Sequence, residues 1–138
     1  LIRNPKQLIA SFAQVISNPT MKDIGLKKSW DLFNYISKLK STNPIVLDSA
    51  EILNSPKKLL IKLCNNLDID FYTGMLSWSK GGIKEDGVWA KHWYRNVHES
   101  TGFIKQKTSN RELPKHCEPL YFDALKYYDK LSINSIKV

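Results

Sequence analysis

Apolar residues recur every three or four positions along four stretches of the chain, and this spacing predicts four amphipathic helices. The first helix follows Asn4-Pro5, and the second covers residues 26–39. The third follows Ser55-Pro56, and the last starts at Glu118-Pro119. Proline favours the starting points of the first, third and last helices, because the N–H that it lacks would have no partner in the first turn of a helix.

The first helix carries one polar residue on its apolar face. The predicted buried positions of this helix are Leu8, Ile9, Phe12, Val15 and Ile16. Ser11 interrupts them with a hydroxyl. In one interpretation this hydroxyl bonds back to the carbonyl of Gln7. In the other, Ser11 and Arg3 hold one anion together, because Arg3 directly precedes the helix and a helix N-terminus favours negative charge.

Two uninterrupted apolar segments predict strands. Ile45-Val46-Leu47 is short, β-branched and bounded by Pro44 and Asp48, which is typical of a strand buried on both faces. Leu1-Ile2 predicts the end of a second strand, which places Arg3 where open α/β sheets bind ligands. Two strands alone leave open sheet edges. We therefore expect a helix-rich α/β fold in which residues 1–138 form a single, partial domain with few strands.

The region between the third and last predicted helices is richest in glycine and tryptophan. Residues 71–78 predict one or two helical turns, residues 79–87 predict a glycine-rich loop, and residues 89–101 predict a fifth helix. On this helix, Trp89 and Trp93 could stack on an adenine base, line an acceptor cleft or pack in the core.

The composition indicates one basic domain of 138 residues, with 42% hydrophobic residues and a net charge of +8. The lysines are dispersed, which indicates a solvated surface. Dispersion also argues against a specific nucleic-acid interface, where basic residues cluster. The net positive charge fits an anionic ligand. Cys64 and Cys117 lack the spacing of a metal site. We expect reduced thiols, no metal, no membrane span and a cytoplasmic location.

Arg3-Asn4-Pro5, with Ser11 eight positions after the arginine, resembles the 3′-phosphate-binding motif of sulfotransferases that use 3′-phosphoadenosine 5′-phosphosulfate (PAPS). In that family the arginine ends a strand and the serine lies on the following helix. The resemblance implies that Arg3 and Ser11 contact the 3′-phosphate of the nucleotide. Guanidinium and hydroxyl groups suit that role, since both donate hydrogen bonds to phosphate oxygens.

A second motif follows about seventy residues later in the chain. Lys80-Gly81, followed by Gly87 and Trp89, is similar to the basic loop that closes over the same phosphate in this family. Ser79 stands where many members carry an arginine. The surrounding residues look most like bacterial sulfotransferase-like proteins of unassigned substrate. The resemblance thus implies that Lys80, Gly81 and Trp89 also bind the nucleotide.

The resemblance implies the C-terminal portion of a P-loop-like sulfotransferase domain. Full-length relatives would transfer a sulfuryl group from PAPS to an unknown hydroxyl or amine acceptor. In the family, the phosphosulfate-binding loop and the usual catalytic base precede the first motif, so we expect this chain alone to be inactive. His92 and His98 are the catalytic candidates that remain, although the sequence places no partner beside either.

Two other interpretations stay open. A non-catalytic interaction module could form a homodimer by pairing its open strand edges. Alternatively, the positive charge could bind an anionic polymer, with an affinity that falls steeply as the salt concentration rises.

Overall fold

Three short extended segments lie side by side and parallel at the centre of the fold. Ile2 forms a parallel bridge to Asp48, and Val46 forms a second one to Ser135. The middle segment, residues 46–48, therefore pairs on both sides, through backbone hydrogen bonds of 2.7–3.0 Å. The sequence predicted the first two segments as strands; each makes isolated bridges instead, and the third segment, at Ser135, was not predicted.

The computed structural model describes residues 1–88, 90–104 and 111–138, and for His92 the backbone alone. Within those residues the α-helices are α1 (Pro5–Phe12), α2 (Met21–Ile24), α3 (Leu26–Lys40), α4 (Ser49–Asn54), α5 (Pro56–Leu67), α6 (Ala90–Trp93), α7 (Arg95–Glu99) and α8 (Glu118–Ser132). Short 3₁₀ turns span Thr73–Leu76, Lys84–Asp86 and Lys115–Cys117. The fold is therefore helix-rich, as predicted.

The core lies where the central segments meet α1, α3 and α8. Helix α8 packs against both α1 and α3. The buried members of this core are Ile2, Ile9, Ile24, Leu26, Phe33, Val46, Cys117, Ala124 and Leu131. Both segments that flank Arg3, the Ile2 bridge and helix α1, thus contribute to a single core.

The predicted starts of four helices are confirmed. Helix α1 begins at Pro5 behind an Asn4 cap whose side chain accepts from the N–H of Lys6 at 3.0 Å. Helices α3, α5 and α8 also begin where the sequence predicted them. Cys64 is buried on α5.

The predicted end of the first helix is wrong. Helix α1 stops at Phe12, and the chain continues as turns in which the N–H groups of Val15 and Ile16 both donate to the Phe12 carbonyl. Val15 is 63% exposed, because it lies beyond the part of α1 that faces the core. Leu39, near the end of α3, is likewise 67% exposed. Apolar spacing predicted the helices but overestimated how far their buried faces extend.

The predicted fifth helix is divided at Tyr94, whose backbone (φ −100°, ψ 7°) separates α6 from α7. The division has a packing cause, because the two halves are anchored to different parts of the fold. The ring of Trp93 at the end of α6 packs against the ring of Phe12 on α1, with the two planes inclined by 37°. His98 on α7 bonds instead to Asp86 in the preceding loop.

Asp48 connects the central segments to two helices. Its buried carboxylate accepts from the N–H of Ala50 at 2.8 Å, which caps α4, and from the hydroxyl of Tyr128 on α8 at 2.6 Å. A buried carboxylate requires such partners, because its desolvation is otherwise very costly. Burial raises the pKa of the Tyr128 hydroxyl, and the bond to Asp48 and its negative charge raise it further.

Within the described residues, no helix combines the length and the apolar character that a membrane crossing requires.

Tyr128→Phe tests the role of the Asp48 carboxylate in stability. We expect the free energy of unfolding at neutral pH to fall by about 1–3 kcal/mol, because one buried carboxylate oxygen loses its donor. The pKa of Tyr128 is higher in the folded protein than in the unfolded chain, where it is about 10. The protonated hydroxyl therefore stabilises the fold fully below about pH 10, and this stabilisation is lost as the pH rises above that value. Tyr128→Phe should therefore also show a shallower alkaline loss of stability in urea titrations.

Tyr35→Phe is the matched control, because Tyr35 is 64% exposed on α3. Its stability and alkaline profile should follow those of the wild type. Equal stability of Tyr128→Phe and Tyr35→Phe at every pH would contradict the role of the Asp48–Tyr128 bond.

Candidate functional site

Arg3 is held between a backbone bridge and a helix start. The N–H of Ile2 donates to the Leu47 carbonyl at 2.7 Å, and the Ile2 carbonyl accepts from the N–H of Ser49 at 2.9 Å. On the other side, the Asn4 cap begins helix α1. The backbone on both sides of Arg3 is thus fixed, and the side chain projects from the carboxyl end of a parallel segment, where α/β proteins bind ligands.

The guanidinium of Arg3 is half-buried and lies near a second guanidinium. Burial lowers the pKa of Arg3, and the positive charge of Arg111 lowers it further. Arginine remains protonated at physiological pH even so. The two positive charges therefore repel each other, and both attract an anion.

Arg111 also lines a groove that contains Ser11. The groove has a volume of about 390 Å³, and its lining residues are Ser11, Gln14, Val15, Trp93, Arg95, Asn96, Glu99 and Arg111. The Ser11 hydroxyl makes no hydrogen bond to any other described residue, so the back-bond to Gln7 that one interpretation predicted is not formed. Ser11 can therefore donate to a ligand in this groove.

Charge in the groove is mainly positive but includes one carboxylate. Arg95 pairs with Glu99 at 3.2 Å along helix α7, and both side chains are largely exposed. Exposed pairs of this kind contribute little stability. Arg95 can therefore exchange Glu99 for an anionic ligand at small cost. Together with Ser11 and Arg111, Arg95 gives the groove the donors that a phosphate or sulfate group requires.

The structure does not place Lys80 or Gly81 among the residues that line this groove. Lys80 is exposed, and the N–H of Gly81 donates to the His98 carbonyl at 2.8 Å. Gly81 has a φ of 113°, a conformation that a residue with a side chain rarely adopts. The bond from Gly81 to His98 attaches the glycine-rich loop to α7. Contact of Lys80 with a nucleotide remains a prediction.

His98 has a carboxylate partner that the sequence did not indicate. Its Nε2 lies 2.8 Å from Oδ2 of Asp86, and the same oxygen accepts from the N–H of Ile83 at 2.9 Å. The backbone N–H of Ile83 lowers the pKa of Asp86, and His98 lowers it further. The pair borders an open cavity of about 640 Å³ that Lys84 and Lys91 also line. A carboxylate in this position can orient the imidazole.

Two of the predicted site residues cannot be placed. Trp89 lies outside the described residues, and so does the side chain of His92. Across residues 1–88, 90–104 and 111–138, no group of three histidine, cysteine or acidic side chains could hold a metal ion.

Sequence reasoning missed Arg95, Arg111 and Asp86. Arg111 is one hundred residues from Ser11 along the chain, and no local pattern links the two. Asp86 offered a weak signal, because an acidic residue three positions after Ile83 can cap a short turn. Only the fold brings these side chains to their partners.

Comparisons with known proteins give a match to one family model and to two curated relatives. A family model described as a sulfotransferase domain matches residues 1–133. The chain is 38% identical over 131 residues to branched-chain-amino-acid aminotransferase-like protein 1 of Arabidopsis thaliana, a match that covers 95% of this chain and 23% of the relative. It is 33% identical over 128 residues to branched-chain-amino-acid aminotransferase-like protein 2 of the same plant, which covers 88% of this chain and 22% of the relative.

The chain thus spans less than a quarter of the length of these curated relatives. No solved structure gives a significant match.

His98→Ala tests the pair with Asp86. We expect the pKa of Asp86 to rise towards its ordinary value without reaching it, because Ile83 still donates to the same oxygen. An NMR titration of the carboxylates measures this shift, and Asp23, whose pKa is lowered by Thr20, serves as an internal control. An unchanged pKa of Asp86 would show that the bond to His98 does not form in solution.

Proposed function

The chain belongs to the sulfotransferase domain family, and from this premise we propose that Arg3 and Ser11 bind the 3′-phosphate of PAPS. Sulfotransferases in general use PAPS as the sulfuryl donor. One observation carries the proposal: the positive charge of Arg111 acts on the half-buried guanidinium of Arg3, and Arg111 also lines the groove where the Ser11 hydroxyl makes no hydrogen bond to any other described residue. An anion beside these groups is attracted by both guanidinium charges and can accept from the Ser11 hydroxyl.

A phosphate fits this set of donors. Arginine presents two parallel N–H groups to two phosphate oxygens, and these charge-assisted bonds are stronger than neutral ones. Because Arg3 is half-buried, water screens its charge less than it would at an exposed site. Ser11, eight positions after Arg3 and on helix α1, adds a neutral donor. Arg111 completes the arrangement as a second cation on the same phosphate.

The arrangement of the central segments also supports the proposal. All three run parallel at their bridges, with Arg3 at the carboxyl end of an outer one. Parallel pairing of this kind is expected of a P-loop-like sheet. We propose that fold for the domain as a whole.

The reaction of the whole protein would be sulfuryl transfer. A hydroxyl or amine of an acceptor attacks the sulfur of PAPS, the bond from sulfur to the phosphate oxygen breaks, and adenosine 3′,5′-bisphosphate leaves. A base takes the proton of the acceptor. Among the side chains that the structure describes, His98 is the candidate for this base, and Asp86 orients its imidazole. His92 is a second candidate from the sequence. Lys80, Gly81 and Trp89 remain proposed nucleotide contacts.

Calorimetry with adenosine 3′,5′-bisphosphate tests the phosphate site. Arg3→Ala should weaken binding by about 10- to 150-fold, since a hydrogen bond to a charged group contributes about 1.5–3 kcal/mol. Arg3→Lys should recover only part of the affinity, because lysine keeps the charge but cannot form two parallel bonds. Ser11→Ala should weaken binding by about 2- to 10-fold.

Lys57→Ala is the matched control, because it removes one positive charge from an exposed position on α5. It should leave the affinity unchanged. If Arg3→Ala and Lys57→Ala bind the nucleotide equally well, the Arg3 assignment is wrong and overall charge alone explains the affinity.

A further inference from the structure

We propose that the cavity beside His98 binds the acceptor of the sulfuryl group, and that this acceptor carries an anionic group on an apolar body. The inference rests on the proposed function, in which His98 takes the proton of the acceptor. The cavity has a volume of about 640 Å³, which is within the range of small-molecule sites. None of its lining residues also lines the groove that contains Ser11 and Arg111, so the acceptor does not compete with the nucleotide for that groove.

Two lysines give this cavity an excess of positive charge. Lys84 and Lys91 both line it, both are exposed, and neither forms a salt bridge with any other described residue. Asp86 is the acidic residue among the described lining residues, and its carboxylate already accepts from Ile83 and pairs with His98. The two unpaired ammonium groups therefore attract an anionic ligand.

The glycine-rich loop holds the His98–Asp86 pair in place without a ligand. A Cβ added at Gly82 would lie 3.1 Å from Cε1 of His98 and 3.2 Å from Oδ2 of Asp86. Only glycine therefore lets the loop backbone pack this closely on the pair. The adjacent Gly81 donates its N–H to the His98 carbonyl at 2.8 Å. Such pre-organisation lowers the cost of binding.

The bond to Asp86 decides which nitrogen of His98 can act on the acceptor. Nε2 lies 2.8 Å from Oδ2 of Asp86, so the neutral imidazole carries its proton on Nε2, and Nδ1 is the free base. As the acceptor oxygen or nitrogen bonds to sulfur, its proton passes to Nδ1, and the carboxylate of Asp86 stabilises the imidazolium that forms. Lysines that hold the anionic group of the acceptor would position its reacting group for this transfer.

Apolar side chains complete the lining of the cavity. Ile83 is 67% exposed and Val88 is 77% exposed, and both line the cavity together with Ala90. Contact with the apolar body of a ligand would remove this aliphatic surface from water, which favours binding. The lining as a whole therefore fits a hydroxyl or amine compound with an apolar body and an anionic group.

NMR titrations with three phenols of similar size, in the presence of excess adenosine 3′,5′-bisphosphate, test the proposal. 4-Hydroxyphenylacetate carries a carboxylate, tyrosol an uncharged hydroxyl and tyramine an ammonium group at the same end of the molecule. We expect the acid to bind most tightly and the amine most weakly, with shifts of the His98 ring signals, which are assigned by their loss in His98→Ala. Lys84→Ala and Lys91→Ala should each weaken binding of the acid about 2- to 5-fold and leave tyrosol within about twofold.

Lys57→Ala again serves as the charge control, because Lys57 is exposed on α5 and does not line the cavity. It should bind all three phenols as the wild type does. Thermal unfolding of each variant verifies that it is folded.

The outcomes distinguish this inference from the phosphate site. If tyrosol binds as tightly as the acid, or if neither lysine variant weakens the acid, the preference for an anionic acceptor is wrong even where Arg3→Ala still weakens nucleotide binding. If the acid shifts the signals of Ser11 and not those of His98, it binds in the phosphate groove, and the acceptor cavity is wrong. If the acid shifts His98 although the wild type binds no nucleotide, the cavity holds and the phosphate site fails. If no phenol shifts His98, the acceptor cavity is overturned.

Discussion

The carboxylate of Asp48 is the constraint on which the rest of the structure depends. It ends the central parallel segment, caps α4 and accepts the hydroxyl of Tyr128 from α8, and it does so while only 3% exposed. A buried charge is tolerated only where hydrogen bonds replace water. The two donors therefore fix the middle segment relative to the last helix, and the bridge from Ile2 to Asp48 extends this order to the start of the chain.

The candidate site follows from that arrangement. Once the Ile2 bridge and helix α1 are fixed, the position of Arg3 between them is also determined. The chain then returns much later with Arg111, close enough to lower the pKa of Arg3. The positive charges of Arg3 and Arg111 repel each other, and together they favour an anion in this part of the fold. The Ser11 hydroxyl interrupts the apolar face of α1 and makes no hydrogen bond to any other described residue. It lies in the groove that Arg111 also lines.

The local residue pattern predicts where helices start, but it does not predict which of their residues the core covers or which distant residues join the site. The start of α1 after Asn4-Pro5 follows from one short stretch of sequence, and the structure confirms it. The exposure of Val15 could not be predicted in the same way, because it depends on which part of α1 the core covers. The resemblance that singled out Arg3 and Ser11 is a matter of spacing along the chain. Arg111 joins them only through tertiary structure, since a single sequence contains no signal for contacts a hundred residues apart.

A crystal structure of this chain with adenosine 3′,5′-bisphosphate tests the central claim most directly. The account predicts the 3′-phosphate within hydrogen-bonding distance of both the Arg3 guanidinium and the Ser11 hydroxyl, in the groove that Arg111 lines. A nucleotide bound elsewhere on the protein, with its 3′-phosphate away from Arg3 and Ser11, would contradict it.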